Sequence, residues 1–80
     1  NHMSRQKHLS TYYSDLGEGK AEIWFDFKEE LAFIKYLDDN DVMFFEESFP
    51  NNSISYVEDA AENWALGIKK LKGYKQIALL

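Results

Sequence analysis

From Ala21 to Phe27 the chain reads AEIWFDF, with Ala21, Ile23, Phe25 and Phe27 alternating against Glu22, Trp24 and Asp26. A period of two sends successive side chains to opposite faces, so this stretch predicts a β-strand. A second strand is predicted over Leu31 to Leu37, LAFIKYL, after a tight turn near Lys28 and Glu29. A third is predicted over Val42 to Phe49, VMFFEESF. Asp38, Asp39, Asn40 and Asp41 lie between the second and third. Their short side chains bond nearby backbone and tolerate positive φ, which is hairpin-turn chemistry. Upstream, LSTYYSDL followed by Gly17-Glu18-Gly19-Lys20 reads as a further strand and turn.

After Pro50-Asn51-Asn52 the period changes to that of a helix. Ser55 and Glu58 have the spacing of a capping box, in which hydroxyl and carboxylate each satisfy a free N–H of the first turn. Glu58, Asp59 and Glu62 near the start, and Lys69, Lys70 and Lys72 near the end, suit the helix dipole, with Gly73 as the stop. At 100° per residue Val57, Ala60, Ala61, Trp64, Ile68 and Leu71 form one apolar stripe, with Leu66 left among the outer charges. The closing QIALL reads equally as one more strand or as an apolar tail. The predicted fold is α+β: an antiparallel three- to four-stranded meander with one C-terminal helix packed on one face.

One helix covers one face of such a sheet, and the other face is ordinarily polar. Here apolar groups project from both faces: Trp24 opposes Ile23 and Phe25, Phe33 opposes Ile34 and Tyr36, and Phe44 opposes Phe45. A contiguous exposed aromatic patch marks a binding surface. Trp24, Phe33, Tyr36 and Phe45 are therefore the candidate interface residues.

The chain's 80 residues make one domain, assigned to residues 9–80, with residues 1–3 read as a tag remnant and the initiator methionine. A domain this small is marginal without a disulfide, a metal or a partner. It has no cysteine, which removes disulfides and thiolate sites and makes a homodimer the expected source of extra burial. No run is long and apolar enough for a membrane span or a signal peptide, so a soluble cytoplasmic protein is expected.

The formal charge of −5 conceals an uneven distribution. Residues 22–62 carry twelve acids against Lys28 and Lys35, while Lys69, Lys70, Lys72 and Lys75 follow with no acid. Duplex binding needs clustered Lys and Arg, so direct nucleic-acid binding is disfavoured. Asp38, Asp39, Asp41, Glu46 and Glu47 are the candidate acidic surface, suited to a basic partner or to imitation of nucleic-acid charge.

Catalytic parts are scarce. Gly17-Glu18-Gly19-Lys20 lacks the glycine spacing and the Ser or Thr of a phosphate-binding loop. A calcium loop counted from Asp39 would place Phe44 where the turn glycine belongs and Pro50 at the last ligand. Glu46 and Glu47 are adjacent in a strand and point apart, so they cannot act as a pair. Asp15, Glu18 and Lys20 resemble the acids-plus-lysine set of metal nucleases, but they lie too close together to come from neighbouring strands. His8, the one histidine outside the tag remnant, is expected in solvent, and no Cys–His or Ser–His nucleophile is supported. No enzyme activity, cofactor or metal is expected.

The segment SFPNNSISYVEDAAENWALGIKKL, Ser48 to Leu71, resembles the carboxyl-terminal part of small uncharacterised accessory proteins of marine tailed phages, as does YYSDLGEGKAEIWFD upstream. The resemblance implies an accessory protein acting on a host or phage component in the host-cell cytoplasm. It carries no site residues. The function expected is a small acidic interaction module, self-associating or binding a protein through its aromatic sheet face. The alternative is an acidic nucleic-acid mimic that inhibits a nucleic-acid-binding protein.

Overall fold

A computed structural model of the chain describes residues 5–68. Four strands, β1 (Gln6–Tyr13), β2 (Lys20–Asp26), β3 (Leu31–Leu37) and β4 (Met43–Phe49), form one antiparallel sheet in the order β1-β2-β3-β4, followed by helix α1 (Ile54–Ala65). The α+β meander with one packed helix is thus the observed fold. β1 starts at Gln6, ahead of the expected Leu9. β4 starts one residue later than expected, because Val42 N–H and C=O both bond Asp38 in the turn.

Each hairpin turn is built by a short polar side chain. Asp38 Oδ1 accepts from Asn40 N–H at 2.8 Å and Val42 N–H at 3.0 Å, and Asp41 takes the positive φ, 64°, that an aspartate tolerates. Asp26 Oδ1 accepts from Lys28 and Glu29 N–H. The Glu29 bond foremost holds this carboxyl below the usual carboxylate range. In the β1–β2 turn, Ser14 Oγ accepts from Leu16 N–H, and Ser14 N–H reaches the Gly19 carbonyl.

The helix begins elsewhere than its sequence suggests. Ser53, in extended conformation, is the N-cap, and its Oγ accepts from Tyr56 N–H at 3.1 Å. Ser55 lies inside the first turn, so the expected capping box with Glu58 does not form; the third helical position is Tyr56, which has no carboxylate to offer in return. Glu58 is engaged across the molecule instead, as described below. No acid falls in the first turn and no base in the last, so the expected dipole complement is absent from α1.

The helix ends at Ala65. Gly67 adopts φ 84°, Gly67 N–H bonds the Trp64 carbonyl and Ile68 N–H bonds the Asn63 carbonyl, which together form a Schellman motif. The expected stop at Gly73, together with Lys69, Lys70, Leu71, Lys72, Lys75 and QIALL, lies outside the described residues. The β1–β2 loop closes on this helix end: Asp15 N–H donates to the Ala65 carbonyl at 2.7 Å, and Leu16 lies against Gly67.

The apolar stripe of α1 faces the sheet. Val57, Ala60, Ala61, Trp64 and Ala65 are buried against Ala21, Ile23, Ala32, Ile34, Tyr36 and Phe49. The helix lies mainly over β2, flanked by β1 and β3. Alanines at its centre let the backbones approach, and Trp64 meets Tyr36 edge to face at 5.0 Å, an arrangement favoured by ring quadrupoles. Ile68, expected in the stripe, falls past the helix end and is exposed.

Candidate interaction surface

Two β-bulges decide which side chains share a face. Tyr36 pairs with Phe45 and Leu37 with Met43, leaving Phe44 as an extra residue. Phe44 and Phe45 consequently both pack against the core on the helix side, where strict alternation would have parted them. In β1 the register slips between His8 and Ser10, with Leu9 extra. Ser10 and Tyr12 thereby face the helix, while His8, Thr11 and Tyr13 lie on the uncovered side.

On the helix side this register builds a polar clamp. Ser10 Oγ donates to Glu58 Oε2 at 2.9 Å, and Tyr12 Oη donates to Glu58 Oε1. A carboxylate on the helix is thus bonded by two hydroxyls of an edge strand. On the same face, between β3 and β4, Tyr36 Oη donates to Glu47 Oε1 at 3.1 Å.

Both phenols hold their protons tightly. The Glu58 bond foremost pushes Tyr12 up to about 12, and burial, followed by the charge of Glu47, raises Tyr36. A phenol with a raised folded-state pKa stabilises the fold fully below its unfolded value of about 10, and that stabilisation is lost as pH climbs through the folded value. Urea titrations are expected to show stability falling between about pH 10 and 12. In Tyr12→Phe the fall should be shallower, and neutral-pH stability lower by about 1 kcal/mol, the modest end for a charge-assisted bond at a half-exposed site. An unchanged alkaline slope in that variant would show that the clamp contributes nothing.

On the uncovered side, register lines up His8, Trp24, Phe33 and Ser48 across the four strands, with Thr11, Glu22, Lys35 and Glu46 in the next row. The His8 ring stacks on Trp24 at 5.0 Å and 18°. Lys35 Nζ stands 4.5 Å from the centroid of Trp24 and 5.8 Å from that of Phe33, within the range of cation–π attraction. Trp24 Nε1 donates to Glu22 Oε1 at 3.0 Å. His8 Nε2 lies 3.0 Å from the Ser10 carbonyl and 2.8 Å from Thr11 Oγ1, which fixes the ring. Three strands therefore contribute to one aromatic row whose members contact one another or a shared lysine.

The four aromatic candidates divide between the faces. Trp24 is half-buried on the uncovered face. Phe33 lies there too but is only 4 % exposed beneath its neighbours. Tyr36 and Phe45 are corrections: β3 turns Tyr36 toward the helix, where it is fully buried, and Phe45 packs beside it at 5.8 Å. Neither belongs to the open face. His8, Glu22 and Lys35 do, although the sequence did not single them out. Lys35 shares a face with Phe33 by simple alternation, whereas the placement of His8 depends on the Leu9 bulge.

The acids do not form one surface. Asp38, Asp39 and Asp41 sit at the β3–β4 tip, Glu46 faces Lys35 on the uncovered side, and Glu47 lies on the helix side. Lys20 Nζ reaches Asp41 at 2.9 Å and Glu22 at 3.7 Å, and the Asp41 bond foremost raises the Lys20 pKa. Tyr13, Gly19, Lys20, Asp38, Asp39 and Asp41 line a shallow recess between the two hairpin loops. Among the described residues, no group of three or more His, Asp or Glu side chains is placed to hold a metal ion, and no helix is long and apolar enough to cross a membrane.

Comparison with protein-family models, with curated proteins and with solved structures finds no match.

Proposed function

We propose that this chain is a small acidic, non-catalytic interaction module that associates through its uncovered sheet face, with a second copy of itself as the first partner to test. The observation that carries this reading is the His8-Trp24-Phe33 row on the face opposite the helix, in which His8 stacks on Trp24. Tryptophan is the residue type most enriched among binding hot spots, and an anchor already held in one rotamer loses little entropy on binding. Lys35, Glu22 and Glu46 beside it give the face charges of both signs, which suits register-specific contact without strong self-repulsion. The alternative reading as a nucleic-acid mimic needs acids arrayed along one side, and Glu46 and Glu47 point to opposite faces.

The test is native mass by light scattering or sedimentation over a concentration series, with Trp24→Ala beside the parent chain. Association is expected to weaken by at least about tenfold, the scale of a hot-spot truncation. Trp64, the other tryptophan, reports through its fluorescence whether the core survives. A parent chain monomeric at every concentration would end the self-association reading. Loss of the native Trp64 signal in Trp24→Ala would make Trp24 a structural residue and sink the assignment of the face.

A further inference from the structure

Six of the ten exposed large apolar side chains among the described residues, Tyr13, Leu16, Val42, Met43, Leu66 and Ile68, gather at one end of the molecule. Register and the loop contacts put them there. Tyr13, Lys20, Leu37 and Met43 form the last row of the sheet, and Leu16 and Asp15 tie the β1–β2 loop to the helix C-terminus. The same two loops carry Asp15, Glu18, Asp38, Asp39 and Asp41. The only basic side chain of those two loops and that row is Lys20, already paired with Asp41 and Glu22.

An exposed apolar cluster of this kind marks a contact surface, and a surrounding ring of one charge sign selects its partner. We propose that this loop end docks a lysine- or arginine-rich apolar segment of a partner protein. The apolar side chains enter among Val42, Met43 and Leu16, and a cationic head lies at the rim of the recess, against Asp39 and Glu18 beside the Lys20–Asp41 pair. Charge argues for an external source. Residues 5–68 hold all fourteen acids and five of the nine bases, and the four lysines that follow leave the whole chain at −5. The inference concerns a different surface from the Trp24 row and takes from the proposed function only that the partner is a protein.

The test uses the full chain, nitrogen-labelled, titrated with a short synthetic peptide of alternating lysine and leucine, and with the matching glutamate–leucine peptide as control. Amide shifts are expected at Tyr13, Leu16, Val42, Met43 and Leu66 with the lysine peptide alone, and the affinity should fall as salt rises. Glu18→Lys with Asp39→Lys, both exposed, should weaken binding by about tenfold with the spectrum otherwise native. Val42→Ser should weaken it separately. Absence of shifts, equal shifts with the glutamate peptide, or shifts confined to the Trp24 row would overturn the proposal, the last leaving the open-face reading intact. Loop-end shifts that depend on protein concentration without peptide would assign the surface to a second copy. Loop-end shifts caused by Lys69→Glu, Lys70→Glu and Lys72→Glu without peptide would assign it to the chain's own terminus. Either result also overturns the proposal.

Discussion

Trp64→Ala is expected to lower stability by about 3–5 kcal/mol, the range for truncating a buried large aromatic. Trp64 is 4 % exposed, packs the last turn of α1 onto the sheet and meets Tyr36 edge to face. Its neighbours on the stripe are Ala60, Ala61 and Ala65, which are too small to fill the space it would leave. A domain of this length has roughly 4–12 kcal/mol of stability in total. The change should therefore remove a large fraction of it, up to most of the folded population at room temperature. Urea unfolding followed by circular dichroism measures the loss directly. Trp64→Phe, which retains a ring against Tyr36, should recover more than half of it; equal losses in the two variants would mean that cavity volume is not the cause.

The second large effect comes from adding one methyl group. Gly19 has φ 105°, and a Cβ built there would lie 2.0 Å from the Leu37 carbonyl oxygen and 2.9 Å from Asp38 Cα. The obstacle is backbone of the neighbouring strand, so no side-chain rotamer can relieve it. Gly19→Ala is expected to cost about 1–3 kcal/mol for the backbone conformation alone. Displacement of the β1–β2 turn from the end of β3 adds to that. Gly17→Ala is the informative control: its φ is also positive, 73°, but nothing lies within 4 Å of the added Cβ. It should cost only the conformational part. If thermal unfolding showed the two variants equally affected, close approach at Gly19 would not be the reason for its glycine.

The polar clamp and the aromatic row place different demands on the sheet, and β1 serves both because of its bulge. One extra residue, Leu9, lets His8 stack on Trp24 above the sheet while Ser10 and Tyr12 reach Glu58 below it. Without the extra residue, His8, Ser10 and Tyr12 would all share one face. The bulge thus joins helix docking to the arrangement of the uncovered face.

Hydrophobic periodicity determined a large part of this protein. The period-two stretches at Ala21, Leu31 and Val42 and the period of 3.6 after Asn52 are local properties of the chain, and they suffice for three of the four strands, one helix and the stripe of Val57, Ala60, Ala61 and Trp64. The Asp38–Asp41 turn was equally legible, because an aspartate bonding its own backbone needs no distant partner. The candidate site was only half legible, since alternation shows which residues share a face but not which face the helix takes. That choice placed Tyr36 in the core with Phe45 packed against it, and put Trp24 and Phe33 on the uncovered face. The bulges at Leu9 and Phe44 depend on the register with the neighbouring strand, and the recruitment of Glu58 away from the helix cap depends on hydroxyls 46 and 48 residues away. Tertiary structure alone could decide them, because each trades a local preference for a contact with a strand or loop that local sequence cannot see.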